Sequence, residues 1–385
     1  MTRPRLDLPG MVFGLAALVA WSAGPFVVEK ANRIVPGVTL PLKAVWHSGS
    51  VHSVFIAYGV LLAVASLVRR PVVRFTAAAT ALSCLCWALG TVATELTPPD
   101  DRVLRIAPGL GFWAAAALTG LLLVDAVAIA RLRPVRRVVL LGAVIGVIGW
   151  ALASGHFDQV SIGREYAANA DRFTLELKRH LMLATGSLAG AVVVALPIGM
   201  LCFARESMAR AVLSALSFVQ TIPSIALYGV LMAPLAALAA ALPALAALGV
   251  GGIGYAPAIV ALFLYALFPI VANTVLGLRR IDPAVIEAAQ GMGLTDRQIL
   301  WQVRWPLALP TVVTGIRVVL VQNVGLAAVA ALVGGGGLGT FIFQGIGQTA
   351  IDLVLLGALP TVAMALVAGV LLDALVDGLE RRRVA

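Results

Sequence analysis

The residues with the clearest capacity for chemistry lie between Asp282 and Pro310, and that chemistry is recognition rather than catalysis. The stretch DPAVIEAAQGMGLTDRQILWQVRWPLALP is polar and helix-forming, yet it interrupts two long apolar runs. Such an island sits at a membrane surface, free to touch another protein. Asp282 is placed to cap a helix N-terminus, and Pro283 suits the first helical position, where its missing N–H costs nothing. Val285, Ala289 and Met292 share one face at i, i+4, i+7 spacing. Gly291 and Gly293 end the helix, because glycine accepts the left-handed backbone of a helix exit. Thr295 and Gln298 form a capping-box pair that opens a second helix, running through Ile299, Leu300 and Val303 to Pro306. The small side chains of Ala288 and Ala289 let a partner's backbone or groove approach closely. The bland alternative is an amphipathic surface hairpin without a partner.

Other candidate chemistries fail on residue type. The run Gly334–Gly337 invites a phosphate-loop reading, but such a loop needs a lysine after its glycines. The only lysines are Lys30, Lys43 and Lys178. A tightly turning loop at the outer mouth fits better. Cys84 and Cys86 are two apart and face different sides of a helix, Cys202 lies near a cytoplasmic end, and none suggests an external disulfide. His47, His52, His156 and His180 lie in or next to external loops without ligand spacing. The chain is therefore expected to bind no metal or cofactor. An intramembrane enzyme would need converging ionisable groups, such as an HExxH helix or paired carboxylates, and no such cluster is visible.

The elements that must position the island are membrane helices. The 385 residues are 61% hydrophobic and only 12% charged, with a mean hydropathy of +1.00. Repeated apolar runs of about twenty residues make an all-α polytopic membrane protein. Ten spans are predicted, at 10–28, 51–68, 75–94, 106–130, 138–153, 181–203, 211–233, 256–278, 307–333 and 353–376. Residues 138–153 are short for a crossing, and 211–250 is long enough for two. One crossing followed by an external apolar helix, broken at Pro234 and Pro243, keeps the island inside. Arg3 and Arg5 before an apolar stretch also resemble a signal peptide, and an uncleaved first span is the preferred reading. With both termini inside, eighteen of the 28 basic residues face the cytoplasm and nine the exterior, as the positive-inside rule requires. The net charge of +10 thus follows from topology, and nucleic-acid binding, which needs a basic patch interleaved with aromatics, is excluded. The chain divides near residue 175. Residues 1–175 carry five spans of open role, the polar external segment 154–180 straddles the division, and residues 176–385 carry five more.

Polar groups inside a span are costly and need a partner or a wet cavity. Gln220 lies mid-span, just before Pro223 and Ser224, where the proline frees a carbonyl and bends the helix. Asn273, Gln322 and Asn323 occupy two later spans. These residues either line a translocation path or hydrogen-bond between helices, at roughly 0.6 kcal/mol apiece. Arg317, two turns into a span, is expected to snorkel or pair with Asp373 or Asp377, and Asp125 to form a structural salt bridge near the inner interface.

The 282–310 island resembles the EAA loop of importer-type ABC permeases, which reads EAA, three residues, Gly, nine residues, Ile, any residue, Leu-Pro. Glu287, Ala288, Ala289, Gly293, Val303, Trp305 and Pro306 keep that spacing, with Val for Ile and Trp for Leu. The resemblance implies a cytoplasmic coupling loop, at about 281–306, that docks into a cleft on an ABC ATPase subunit. ATP would then be used by that partner. Farther strings resemble the osmoprotectant permeases for glycine betaine, choline and related quaternary ammonium compounds. They are Gln220-Thr-Ile-Pro-Ser224, Tyr255-Ala-Pro-Ala-Ile-Val, Leu264-Tyr-Ala-Leu-Phe-Pro-Ile, Asn273-Thr274, Gly315-Ile-Arg317, Gly334–Gly339 and Gly357-Ala-Leu-Pro360. They run from about 180 to 376, so the C-terminal half is similar to an importer-type permease core and the whole to a long variant with extra N-terminal spans. The resemblance implies a cytoplasmic (inner) membrane location, a second permease copy or paralogue, and an external substrate-binding protein. The rival readings are an importer of this kind for another small solute such as an amino acid, and an ion-coupled secondary transporter, which would show pseudo-symmetric halves.

Overall fold

A computed structural model describes residues 8–45, 49–101 and 103–384, and the side chains of all but residues 49–50 and 382–384 among them. Arg3, Arg5, His47 and Arg102, and the side chains of Arg382 and Arg383, lie outside the described residues. The chain forms two compact units. Among the described residues, eight helices are long and apolar enough to cross a membrane, and two shorter apolar helices, Leu8–Ala23 and Val51–Leu67, accompany them.

The first unit holds residues 1–133, 142–169 and 348–353. Its elements are α1 (Leu8–Ala23), β1 (Pro25–Lys30), β2 (Val38–Pro41), α2 (Leu42–Val45), α3 (Gly49–Leu67), α4 (Pro71–Leu96), β3 (Arg105–Pro108), α5 (Leu110–Ala130), most of α6 (Pro134–Ala153) and α7 (Ser161–Ala168). The strands form an antiparallel sheet in the order β2-β1-β3. That sheet corrects two span boundaries. The span read as 10–28 stops at Ala23, because Pro25 to Lys30 pair with both neighbouring strands. The span read as 106–130 starts only at Leu110, because Ile106 and Ala107 belong to β3. Short apolar runs beside proline and glycine are ambiguous between strand and helix, and pairing decides. Phe26 of β1 packs edge-on to Phe55 of α3 at 5.2 Å, and Trp21 meets Tyr58 at 5.2 Å, tying sheet to helices. Arg74, wholly buried on α4, donates from Nε to Ala65 O at 3.1 Å and from Nη1 to Asp125 of α5. Asp125 therefore forms the expected structural salt bridge, with Arg74.

The second unit holds residues 134–141, 170–347 and 354–385. Its elements are α8 (Ala170–Ala204), α9 (Glu206–Thr221), α10 (Ser224–Ala241), α11 (Pro243–Ala247), α12 (Tyr255–Arg279), α13 (Pro283–Gly291), α14 (Asp296–Gln298), a π-helical segment Ile299–Arg304, α15 (Trp305–Val329), a 3-10 turn Ala330–Val333, α16 (Gly339–Gly347) and most of α17 (Ile351–Val384). The central element is α12, which packs along α8 and α15 and also touches α9 and α10. Small residues set these approaches, as membrane helix packing requires. A Cβ on Gly315 would lie 2.7 Å from Asn273 Cβ, and one on Gly277 would lie 3.1 Å from Ala308 O.

Three readings need correction here. The span 211–233 is two helices, α9 and α10, separated at Ile222 and Pro223, both in extended backbone. Proline not only lacks an N–H but also drives its predecessor out of the helical region, so the chain breaks instead of bending. Pro234 lies inside α10 and does not break it, whereas Pro243 does open α11. The second arm of the island does not end at Pro306. It runs through the π segment into α15, one continuous rod of 38 residues from Asp296 to Val333. Pro306 sits in the first turn of α15, and the wider π turn just before it is where the helix accommodates a residue without an N–H.

Candidate functional site

The island folds as its local chemistry dictates. Asp282 Oδ1 accepts from Ala284 N–H at 2.9 Å at the start of α13. At the other end Gly293 adopts φ +82°. Leu294 N–H donates to Ala289 O at 3.2 Å and Gly293 N–H to Gln290 O at 2.8 Å, the two bonds of a Schellman ending. Thr295 and Gln298 close a reciprocal capping box. The turn between the arms is thus held by backbone and cap bonds rather than by a partner.

Exposure separates the predicted contact residues. Glu287 and Ala288 are exposed, as is Pro306, while Gly293 is open to solvent at the turn. Val303 is half-buried. Ala289 is only 2% exposed, so its small side chain serves the packing of α13 on the π segment, where Ile299 is also buried. The face assigned to Val285, Ala289 and Met292 is therefore split. Val285 is 41% and Met292 73% exposed, and Trp301 of the π segment is exposed as well. Large apolar side chains beside an exposed charge are the composition of a protein contact surface.

Arg304 ties this surface to the bundle. Its Nη1 donates to Leu278 O at 3.2 Å, at the C-terminal turn of α12, and its guanidinium lies 5.2 Å from the ring centroid of Phe203 on α8. A cation is favourable at a helix C-terminus and over an aromatic face. One side chain on the π segment thus grips α12 and α8. If the island couples to a partner ATPase as its resemblance implies, Arg304→Ala would leave the folded bundle in the membrane but lower coupled transport severalfold, and Arg304→Lys, which keeps charge but loses the planar stack, would recover only part of it. ATPase stimulation measured beside uptake checks this, and full uptake by Arg304→Ala would remove the role.

The polar residues of the spans are not gathered into one cluster. Gln220 Nε2 donates to Tyr265 O at 2.6 Å, linking α9 to α12, and Tyr265 hydroxyl returns a bond to Ile222 O at the break. Asn273 Nδ2 donates to Pro269 O of its own helix at 2.8 Å. Asn323, wholly buried, donates to Ser187 Oγ at 2.9 Å and leaves its Oδ1 without a hydrogen bond. Ser224 and Gln322 are half-buried, and Pro223 is exposed at the break. That Ser187 and Tyr265 are the partners of Asn323 and Gln220 was not legible in the sequence, because single hydroxyls in apolar spans carry no spacing signal. Arg317 pairs with Asp373 at 2.6 Å, while Asp377 takes Arg137 at 2.9 Å. His180, expected in or next to an external loop, is buried within α8, and Glu176, not singled out in the sequence, shares its face at i, i+4 spacing. The glycine run is tightly turned, with Gly334, Gly336 and Gly337 at φ +80°, +74° and +85°.

Comparison with known proteins matches two families to two stretches of the chain. The family described as binding-protein-dependent transport system inner membrane component matches residues 191–384. The family described as ABC transporter permease YehY, N-terminal domain, matches residues 7–163. The chain is 40% identical to the osmoprotectant import permease protein OsmW of Salmonella typhimurium (strain LT2), over 49% of this chain and 83% of that protein. It is 35% identical to the carnitine transport permease protein OpuCD of Listeria monocytogenes serotype 1/2a, over 54% of this chain and 86% of that protein. It is also 35% identical to the choline transport system permease protein OpuBD of Bacillus subtilis (strain 168), over 56% and 87% respectively.

Proposed function

This chain belongs to the family of binding-protein-dependent transport system inner membrane components, and on that premise we propose that it is the permease subunit of an ATP-driven importer for glycine betaine or a related quaternary ammonium osmoprotectant. The observation that carries the reading is the exposed, self-capped hairpin joined without a break to a membrane-length helix. A permease powered by a partner's ATP must receive that partner's motion, and a rigid elbow is a means of receiving it. The exposed face of α13, with Glu287, Ala288, Val285 and Met292, docks on a cytoplasmic ATPase. Closure of that partner is passed through Arg304 and the π segment to α12, α8 and α15, so that the bundle exchanges inward-open and outward-open arrangements.

The relatives named for carnitine, choline and osmoprotectants support the substrate class. A quaternary ammonium group has no N–H to donate, so it is recognised by aromatic faces and not by hydrogen bonds. That recognition belongs mainly to an external binding protein, and the permease needs only a polar, uncharged path. Gln220, Pro223, Ser224, Asn273, Gln322 and Asn323 are the candidates for that path. Ser224, Gln322 and the break at Pro223 are the strongest of them, since Gln220, Asn273 and Asn323 already spend a donor within the bundle, Asn273 on its own helix. The assembly comprises a second permease copy or paralogue, ATPase subunits and the binding protein, in the inner membrane with both termini cytoplasmic. The division near residue 175 separates this core from an N-terminal scaffold.

Proteoliposomes holding the chain with its ATPase and a betaine-loaded binding protein test the proposal. Uptake is expected only with ATP inside and binding protein outside. Uptake driven by an ion gradient without the ATPase would establish a secondary transporter instead, and uptake of an amino acid in place of betaine would move the substrate class.

A further inference from the structure

The second unit contains a buried ionisable cluster that the coupling surface does not use. Glu176 and His180 stand one turn apart on α8, 4% and 0% exposed. Glu176 Oε1 accepts from Arg179 Nη1 at 2.9 Å, and its Oε2 accepts from Gly337 N–H at 2.5 Å. His180 Nδ1 accepts from Leu338 N–H at 3.2 Å, and its Nε2 lies 2.9 Å from Val324 O on α15. A carbonyl can only accept and a backbone N–H can only donate. Nε2 therefore carries the ring proton and Nδ1 carries none, so this arrangement needs the neutral imidazole. The segment so held is made to come close. A Cβ on Gly336 would lie 2.9 Å from Glu176 Oε2, and one on Gly337 would lie 3.2 Å from His180 Nδ1. Both positions also have positive φ, which only glycine adopts at little cost.

We propose that Glu176 and His180 form a proton-released latch on the glycine loop 334–338. The latch is shut while His180 is neutral. When the loop momentarily parts from the ring, Nδ1 takes a proton from entering water; on reclosing, N–H is set against N–H at Leu338 and a cation is left in a site with no exposed surface. The acceptor within one turn is the Glu176 carboxylate. When the imidazolium turns to it, Oε2 leaves Gly337, so both backbone donors lose their partners in one event. The remaining charged and titratable groups around the site do not offer an alternative. Arg179 is already on Glu176, and Arg172 is engaged with Gln344 and Phe341 of α16. Lys178 points to the exposed side of α8, and Tyr255 follows Gly254, which Gly334 abuts. The loop itself, α16 and α15 from 323 to 329 carry no ionisable side chain. The latch rests on the permease reading only for its consequence: there the loop lies at the outer mouth, and its release makes opening of that mouth sensitive to external pH.

Hydrogen exchange of the full chain in nanodiscs, between pH 8 and 4.5 and corrected for intrinsic rates, reads the latch directly. Protection of the 334–338 amides is expected to be constant above the usual imidazole range, ~6.5, and to fall by up to about tenfold per pH unit below the midpoint. A peptide covering 283–294 should not change. His180→Gln should abolish the pH dependence. Glu176→Gln, which still accepts from Gly337 but cannot draw the imidazolium, should move the midpoint to lower pH. Constant protection in the unmodified chain overturns the proposal, as does an identical fall in His180→Gln or an unmoved midpoint in Glu176→Gln. The unmodified series needs no variant and decides alone if the variants do not fold. Exchange is read without transport, so an inactive importer and an absent latch are separate results.

Discussion

Glu287→Lys is expected to reduce ATP-driven uptake more than tenfold while the protein still inserts and folds. The side chain is exposed on α13, so the folded chain loses little when its sign is reversed. A docked ATPase would meet a cation where it accommodates an anion, and misplaced charge at a buried contact costs roughly 2–5 kcal/mol, with each 1.4 kcal/mol a factor of ten. Gly293→Val approaches the same surface through the backbone. Nothing lies within 4 Å of a Cβ placed there, yet φ is +82°, so the penalty is pure backbone strain. For a β-branched residue it is on the order of 1–3 kcal/mol, enough to undo the Schellman turn that sets the angle between the two arms. Gly291→Ala is the control. Its Cβ also meets nothing, but its backbone is helical, and alanine favours a helix by about 1 kcal/mol. Uptake and ATPase stimulation, normalised to protein in the membrane, should separate the three variants. Normal uptake by both Glu287→Lys and Gly293→Val would leave the island without a docking role.

Asp125→Leu should destabilise the first unit by about 3 kcal/mol, the low end of the range for breaking a buried pair, because Asp125 is 31% exposed while Arg74 is not exposed at all. The loss arises from Arg74, whose charge stays on the α4–α5 interface without its carboxylate. Replacing both, as Asp125→Leu with Arg74→Met, should recover most of it, since two apolar side chains fill the space without a charge to solvate. Denaturant titration of the reconstituted chain measures both. A single variant as stable as the unmodified chain would show that the pair carries no weight.

The legible part of the fold was local. Asp282, Pro283, Gly293, Thr295 and Gln298 announce their caps and turn because each bond spans five residues or fewer. Membrane helices announce themselves by apolar length. Sequence and structure part where one segment admits two states. Ile106 and Ala107 are apolar enough to start a helix, but β1 recruits them as a strand. Ile222 before Pro223 breaks a crossing that hydropathy alone runs straight through. Ala289 looks like its neighbour Ala288 in the sequence, and only packing on the π segment decides that one is closed over and the other offered outward.

The amino-acid sequence by itself determined that this is a polytopic helical membrane protein with a capped hairpin between two apolar runs, because helix caps, turn glycines and span lengths depend on residues close together in the chain. Tertiary structure alone decided which groups meet. Arg317 takes Asp373 and not Asp377, Gln220 finds the carbonyl of Tyr265, and Glu176 and His180 reach Gly337 and Leu338 across 161 and 158 residues of chain. In an apolar medium a polar group must take whatever partner the packing of helices brings within reach, and that packing is a property of the whole bundle rather than of any one stretch.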